Sequence, residues 1–203
     1  MSRLFQVVIL AGGRSRRMGT DKAWMKVDGE LVLPSLCERL GAVADGPVIV
    51  VRRDSEQVLP ALPADVIVVE DRIPDSGPLV GIASGMWVDQ QPFTFACACD
   101  MPNIDPELVR WMSDWRDGPD DPETKGQIIV PEVDGQKQWL HAMYFTVLPP
   151  LMLTRVEEGE RALHRWYDRD HMVVIPEAEW RAVHPSGASF RNVNTPSDLG
   201  SVH

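Results

Sequence analysis

Short apolar, β-branched runs alternate with helix-length segments through the first part of the chain. Phe5 to Leu10, Val48 to Val51, Val66 to Val69 and Phe93 to Cys99 are short, mostly apolar runs that read as strands, the first of them as a buried strand and the last as apolar enough for a central one. Leu33 to Ala44 puts Leu36, Leu40 and Val43 on one stripe of a helix. Asp54 is placed to cap a short helix that Pro60 interrupts. Gly77-Pro78 to Val88 reads as a helix with proline in its first turn. Asp105-Pro106-Glu107 supplies a capping acid, a proline and a second acid, and Leu108, Trp111, Met112 and Trp115 form the apolar face that follows. This β-α-β-α order predicts a mostly parallel sheet with helices on both faces.

The last third has a different pattern. Gln127 to Val133 and Gln138 to Phe145 flank Asp134-Gly135, a strong hairpin signal. Leu151 to Val156 and Arg161 to Trp166 have helical patterns, and His171 to Ile175 is a short strand. Thr195-Pro196 caps a terminal helical turn around Asp198-Leu199, and the run from Asp117 to Thr124 is an exposed loop.

Composition narrows the class. A chain of 203 residues, 44% hydrophobic and 25% charged, is an ordinary water-soluble domain with room for a sizeable core. No apolar run is long enough to span a bilayer, and Met1 to Gln6 lacks the length and apolar centre of a signal peptide. Cys37, Cys97 and Cys99 are an odd number without a Cys-x-x-Cys pair, which fits reduced thiols. A cytoplasmic protein that does not engage a membrane is expected. Cys97 and Cys99 share one face of a strand and read as core. His164, His171 and His184 lack metal-ligand spacing, and His141 reads as a structural histidine. The seven tryptophans read as packing, and Glu157-Glu158-Gly159-Glu160 as a solvated helix end.

The net charge of -10 argues against nucleic-acid binding and repels anions wherever cations are not gathered. They are gathered in one place. Arg14, Arg16, Arg17, Lys22 and Lys26 fall within a short span that begins where the first strand empties into Gly12-Gly13. Glycines that free the backbone, followed by fixed cations, make a phosphate site rather than a bare turn. The pattern is neither a Walker A loop nor G-x-G-x-x-G.

The stretch Leu10-Ala11-Gly12-Gly13, then Arg17-Met18-Gly19, then Asp21-Lys22 resembles the N-terminal signature of nucleotidyltransferases that activate sugar phosphates, and most closely that of the molybdenum cofactor guanylyltransferases. Three later segments extend the resemblance: Val69-Glu70-Asp71 with Gly77-Pro78-Leu79-Val80-Gly81-Ile82; Cys99-Asp100-Met101-Pro102; and Asn192-Val193-Asn194-Thr195-Pro196-Ser197-Asp198-Leu199. The resemblance runs from about Val7 to Leu199.

It implies a Rossmann-like three-layer α/β fold with a mostly parallel sheet, mixed toward the C-terminus. One nucleotidyltransferase domain over 1–203 is expected, with a nucleotide-binding half to about 115 and an acceptor-binding half from about 125. The implied reaction transfers GMP from GTP to the phosphate of molybdopterin, releasing pyrophosphate, with Mg²⁺ as cofactor. Lys22 and Arg17 would hold the triphosphate and Asp100 the metal. Leu10, Ala11, Gly12, Gly13, Asp71, Gly77 and Gly81 would contact the nucleotide, and Asn192 and Asn194 would offer neutral donors. Transient contact with a molybdenum insertase and acceptor molybdoenzymes is a further implication. The Leu10-Ala11-Gly12-Gly13 opening is closer to the guanylyl branch than to the A-A-G-x-S opening of cytidylyltransferases for the same cofactor. That cytidylyl activity, a sugar-phosphate nucleotidyltransferase and a non-catalytic nucleotide or cofactor carrier are the alternatives. Two departures stand out: Arg52 and Arg53 occupy the place of the usual asparagine contact, and Trp24 replaces an aliphatic residue.

Overall fold

The computed structural model describes residues 4–12, 21–73, 76–89, 91–115, 128–165 and 172–193. In chain order its strands are β1 (Phe5–Leu10), β2 (Lys26–Val27), β3 (Glu30–Leu31), β4 (Val48–Arg52), β5 (Ile67–Glu70), β6 (Phe93–Ala98), β7 (Ile128–Val133), β8 (Gln136–Lys137), β9 (His141–Phe145) and β10 (Met172–Ile175). The α-helices are α1 (Val32–Gly41), α2 (Pro78–Met86), α3 (Pro106–Ser113), α4 (Pro149–Glu157) and α5 (Glu177–Val183).

The main sheet runs β10-β7-β9-β6-β1-β4-β5, with β8 paired to β7. β1 lies between β4 and β6 and is parallel to both. β5 continues the parallel half beyond β4. β9 is antiparallel to β6 and to β7, so it is the strand that makes the sheet mixed. Both faces of β1 are covered, which explains its mostly apolar sequence; its polar residue, Gln6, is buried, and its Nε2 donates to Thr94 Oγ1 at 3.0 Å. Phe5, Val7 and Ile9 share a core with Leu33, Leu36 and Leu40 of α1 and with Leu108 and Met112 of α3. Val8 faces the other way, with Ile49 and Val51 of β4. On that side α2 packs against α4, and their buried residues share a second core with Ile128, Val130 and Tyr144. The layers are therefore helix, sheet, helix, as the alternation predicts.

The hairpin turn forms at Asp134 and Gly135, whose φ angles of 49° and 73° satisfy the left-handed demands of a two-residue turn. Its return strand, β8, is two residues long, and β9 starts only at His141.

Three expectations need correction. Asp54 caps no helix: its Oδ1 accepts from the backbone N–H groups of Glu56 and Gln57, each at 3.0 Å, which closes a turn. Pro60 and Pro63 deny the following segment a helical ladder. Arg161 to Arg165 forms turns, because Glu160 draws the Arg161 and Ala162 amides onto its carboxylate at 2.9 and 2.8 Å. Not every tryptophan is packing: Trp180 is fully buried, but Trp24 and Trp87 are 45% and 41% exposed. Helix α5 was not legible in the sequence; it is held by Trp180, whose Nε1 donates to the Glu132 carbonyl at 2.8 Å. The loop from Asp117 to Thr124 and the terminal turn at Asp198-Leu199 lie outside the described residues.

Candidate active site

Strand order in the parallel half is β5-β4-β1-β6, so the direction of winding reverses between β1 and β6. In open α/β sheets the crevice outside the carboxyl ends of the strands at such a reversal is where ligands bind. A cavity of about 530 Å³ lies there, within the range of roughly 300–1,000 Å³ typical of small-molecule sites. Its lining comes from each strand end of that half: Leu10 ending β1 and Gly12 beyond it, Arg52 ending β4 and Arg53 beyond it, Asp71 after β5, and Cys99 and Asp100 after β6. Lys22, Gly77, Pro78 and Gly81 complete that side, and Leu140, just before β9, closes the other.

Asp100 leaves β6 at the floor of this cavity. Its Oδ2 is paired with the Lys22 ammonium. Its Oδ1 is buried and has no hydrogen-bond partner among the described residues. Its backbone carbonyl accepts from Val193 N–H at 2.8 Å, which ties the C-terminal segment to the site. Lys22 begins a single 3-10 turn, Lys22–Trp24, capped by Asp21, whose Oδ1 accepts from Ala23 N–H at 3.0 Å. The cation and the carboxylate thus come from opposite sides of the winding reversal.

The glycines serve close approach. A Cβ on Gly12 would lie 3.0 Å from the Arg53 nitrogen and 3.1 Å from its Cα. Gly77 has a φ of 88°, available to glycine at little cost, and turns the chain into α2. A Cβ on Gly81 would meet Leu10 Cδ2 at 2.9 Å, so α2 lies directly against the strand end that lines the cavity.

Arg52 is paired with Glu70 at 2.7 Å across β4 and β5, and Arg53 with Asp54 at 2.7 Å. Asp71 accepts from Ile73 N–H at 3.2 Å, and its own N–H donates to the Arg52 carbonyl at 2.8 Å. Cys99 touches the cavity, but burial, followed by the charge of Asp100, pushes its thiol up, so it offers no thiolate nucleophile.

Of the predicted site residues, Leu10, Gly12, Lys22, Asp71, Gly77, Gly81 and Asp100 are brought together around one cavity. Ala11 is buried beneath it, its N–H bonded to the Val51 carbonyl at 2.9 Å. Asn192 is exposed and is not among the lining residues. Gly13, Arg17 and Asn194 lie outside the described residues. His141 is fully buried, with Nε2 and the Ser189 hydroxyl 2.9 Å apart and Nδ1 buried without a hydrogen-bond partner among the described residues. The sequence reading missed Gln57, which is buried and bonded to the Ala11 carbonyl just after β1.

The fold is a doubly wound, mostly parallel α/β sheet with a cation–carboxylate pair at its winding reversal. Solved structures of that fold superpose on nearly the whole chain. The molybdopterin-guanine dinucleotide biosynthesis protein A of Archaeoglobus fulgidus gives a TM-score of 0.78 at 22% identity, covering 97% of this chain and 96% of its own. The 2-C-methyl-D-erythritol 4-phosphate cytidylyltransferase of Thermus thermophilus gives 0.66 at 15% identity, covering 100% and 97%.

The chain belongs to the MobA-like NTP transferase family, whose domain model matches residues 7–186. Among its relatives, a protein of Chloroflexus aggregans named "Probable molybdenum cofactor guanylyltransferase" is 36% identical over 96% of this chain and 91% of its own. One of the same name from Methanosarcina acetivorans is 32% identical over 96% and 88%. The molybdenum cofactor guanylyltransferase of Syntrophotalea carbinolica is 29% identical over 95% and 87%.

Proposed function

We propose that this chain transfers GMP from GTP to the phosphate of molybdopterin and releases pyrophosphate. The observation that carries the reading is the Lys22–Asp100 pair at the floor of a nucleotide-sized cavity, in a chain whose relatives bear the guanylyltransferase name.

The attacking group is a phosphate monoester with a second pKa of about 6, so it is anionic at neutral pH and needs no strong general base. The obstacle is the approach of two anions, and the protein's task is to position them and neutralise their charge. Lys22 offers a fixed cation at the cavity floor, and Arg17 is the second cation of the same loop. The Gly12 backbone lets the triphosphate come close. Asp71, Gly77 and Gly81 border the cavity at the β5–α2 side, where the nucleoside would lie. Asn192 and Asn194 offer neutral donors to the acceptor, so residues to about 115 serve the nucleotide and those from about 125 the acceptor.

Asp100 fits a magnesium ligand. One oxygen is engaged by Lys22, while the other is a buried, unpartnered carboxylate oxygen, and Mg²⁺ takes one or two carboxylates together with phosphate oxygens and water. Among the described residues no group of three or more His, Cys, Asp or Glu could hold a metal by itself, which suits an ion that arrives with its nucleotide. When bound, Mg²⁺ would neutralise triphosphate charge. The reading also places the enzyme in the cytoplasm, in transient contact with a molybdenum insertase and acceptor molybdoenzymes.

The test is pyrophosphate release with GTP, CTP, ATP and UTP, with and without molybdopterin and Mg²⁺. Release should require GTP, molybdopterin and the metal together. Equal turnover of CTP would overturn the guanylyl assignment. Tight nucleotide binding without any release would make the protein a carrier.

A further inference from the structure

We propose that Gln57 is a positioning residue that holds Ala11, Asp21 and Arg53 together and so fixes where Lys22 sits against Asp100; the inference rests on the reading that this cavity takes a nucleoside triphosphate. Gln57 is buried, 3% exposed, in an otherwise open turn between β4 and β5. Its amide makes three hydrogen bonds to three separate pieces of the site. Nε2 donates to the Ala11 carbonyl at 2.8 Å, just before the glycine turn opens. The same nitrogen donates to Asp21 Oδ2 at 2.9 Å, just before Lys22. Oε1 accepts from the Arg53 N–H at 2.6 Å, at the end of β4.

One side chain therefore ties Ala11, just after β1, to Asp21, just before Lys22. The clamp has only one acceptable chemistry. Its two acceptors, a carbonyl and a carboxylate, both need a donor, while the Arg53 amide needs an acceptor, and a primary amide presents both in one plane. A carboxylate in its place would face Asp21 with like charge, and a thioether would leave three polar groups without partners. The bond to Asp21 matters most for the site. Asp21 uses its other oxygen to cap the turn that carries Lys22, so moving Asp21 moves the ammonium relative to Asp100. Gly12 lies beside the third bond, since a Cβ there would lie 3.0 Å from the Arg53 nitrogen that Gln57 holds.

The experiment compares the parent chain with Gln57→Glu, Gln57→Met and the charge-conserving swap Gln57→Glu with Asp21→Asn. Affinity is measured for Mg²⁺–tripolyphosphate, which probes the phosphate cradle without a base, and separately for Mg²⁺–GTP. Amide hydrogen exchange is followed over the peptides covering 10–24 and 52–58. Both single variants should weaken tripolyphosphate binding tenfold or more and speed exchange in those two peptides. The swap should recover a substantial part of the loss, because an amide at 21 can donate to a carboxylate at 57. A fall in melting temperature with unchanged tripolyphosphate affinity and unchanged local exchange would overturn the proposal and leave Gln57 a packing residue. If the parent binds tripolyphosphate but does not prefer GTP, the base assignment fails while the clamp stands. If the parent binds neither, exchange in the two peptides decides alone.

Discussion

Losing Lys22 and losing Asp100 should have unequal costs to the fold. The Asp100 side chain is 8% exposed and that of Lys22 22%. Lys22→Ala leaves a carboxylate in the cavity floor with neither oxygen paired, and should destabilise the nucleotide-free protein by about 2 kcal/mol, less than a fully buried broken pair because water reaches the lysine end. Asp100→Asn removes the charge that needed compensation and leaves a lysine able to turn outward, so about 1 kcal/mol or less is expected. Urea unfolding of the two variants measures the difference; equal losses would mean that the pair does not persist in solution. Both changes should lower guanylyl transfer by about two orders of magnitude or more. His141 makes a separate residue-scale prediction. Burial, and after it the charge of His184, lowers its pKa from 6.5 to about 3. Below pH 6.5 the unfolded chain takes up a proton that the fold refuses, so stability falls as pH falls, by about 2 kcal/mol at pH 5 from this group. His141→Gln keeps a partner for Ser189 without titrating. Its loss of stability between pH 7 and pH 5 should be smaller than the parent's by about that amount.

At the scale of elements, the contact between α2 and β1 separates stability from function. A Cβ on Gly85 would lie 2.6 and 2.7 Å from the two Val8 methyl groups, which are fully buried and cannot retreat. A Cβ on Gly81 would lie 2.9 Å from one methyl of Leu10, which lines the cavity and is not fully buried. Gly85→Ala should therefore lower stability by about 1–2 kcal/mol net of its gain in helix propensity, without changing the KM for GTP. Gly81→Ala should lose less stability but raise that KM by displacing Leu10 into the cavity. Thermal melts and initial rates test the pair, and a Gly81→Ala enzyme with parental KM would show that Leu10 does not border the bound nucleotide. The same elements show what a sequence can disclose. Strands β1, β4 and β6 were legible because parallel strands covered on both sides are largely apolar runs, and β5 because its β-branched run suits a strand, although it is the exposed edge of the sheet. Asp100 was legible because Pro102 and the end of the apolar run fix it at a strand's carboxyl end. The placement of β9 between β6 and β7 was not, since pairing order across a sheet leaves no local pattern. Helix α5, only seven residues long, is too short for periodicity to reveal. Gln57 was invisible for a related reason: its side-chain partners at Asp21 and Ala11 lie 36 and 46 positions away, and a lone glutamine in a turn carries no signal.

At the scale of the whole molecule, two fields of opposite sign act on an anionic substrate. The chain carries a net charge of -10, while Arg14, Arg16, Arg17, Lys22 and Lys26 cluster in the sequence between β1 and β3. A domain of this size has a radius of about 20 Å. Spread over it, the net charge opposes a Mg²⁺–GTP complex of about two negative charges by about 4 kcal/mol before screening, in water. At about 10 mM salt the Debye length of about 30 Å leaves half of this repulsion standing, and at about 100 mM a length of about 10 Å removes most of it. Cations that hold the triphosphate, as proposed for Lys22 and Arg17, would act at short range and be screened far less. Raising salt from about 10 to about 100 mM should therefore increase the association rate of Mg²⁺–GTP, by about threefold or more, where a protein with a basic surface would lose rate. The dissociation rate should change little, because the contacts that hold the triphosphate are short. Stopped-flow mixing at several salt concentrations, with ionic strength set by a salt that does not compete for the phosphate site, measures both constants. An association rate that falls across this range would mean that the cations of the loop dominate the field well beyond the cavity, and that the acidic surface does not govern how the nucleotide arrives.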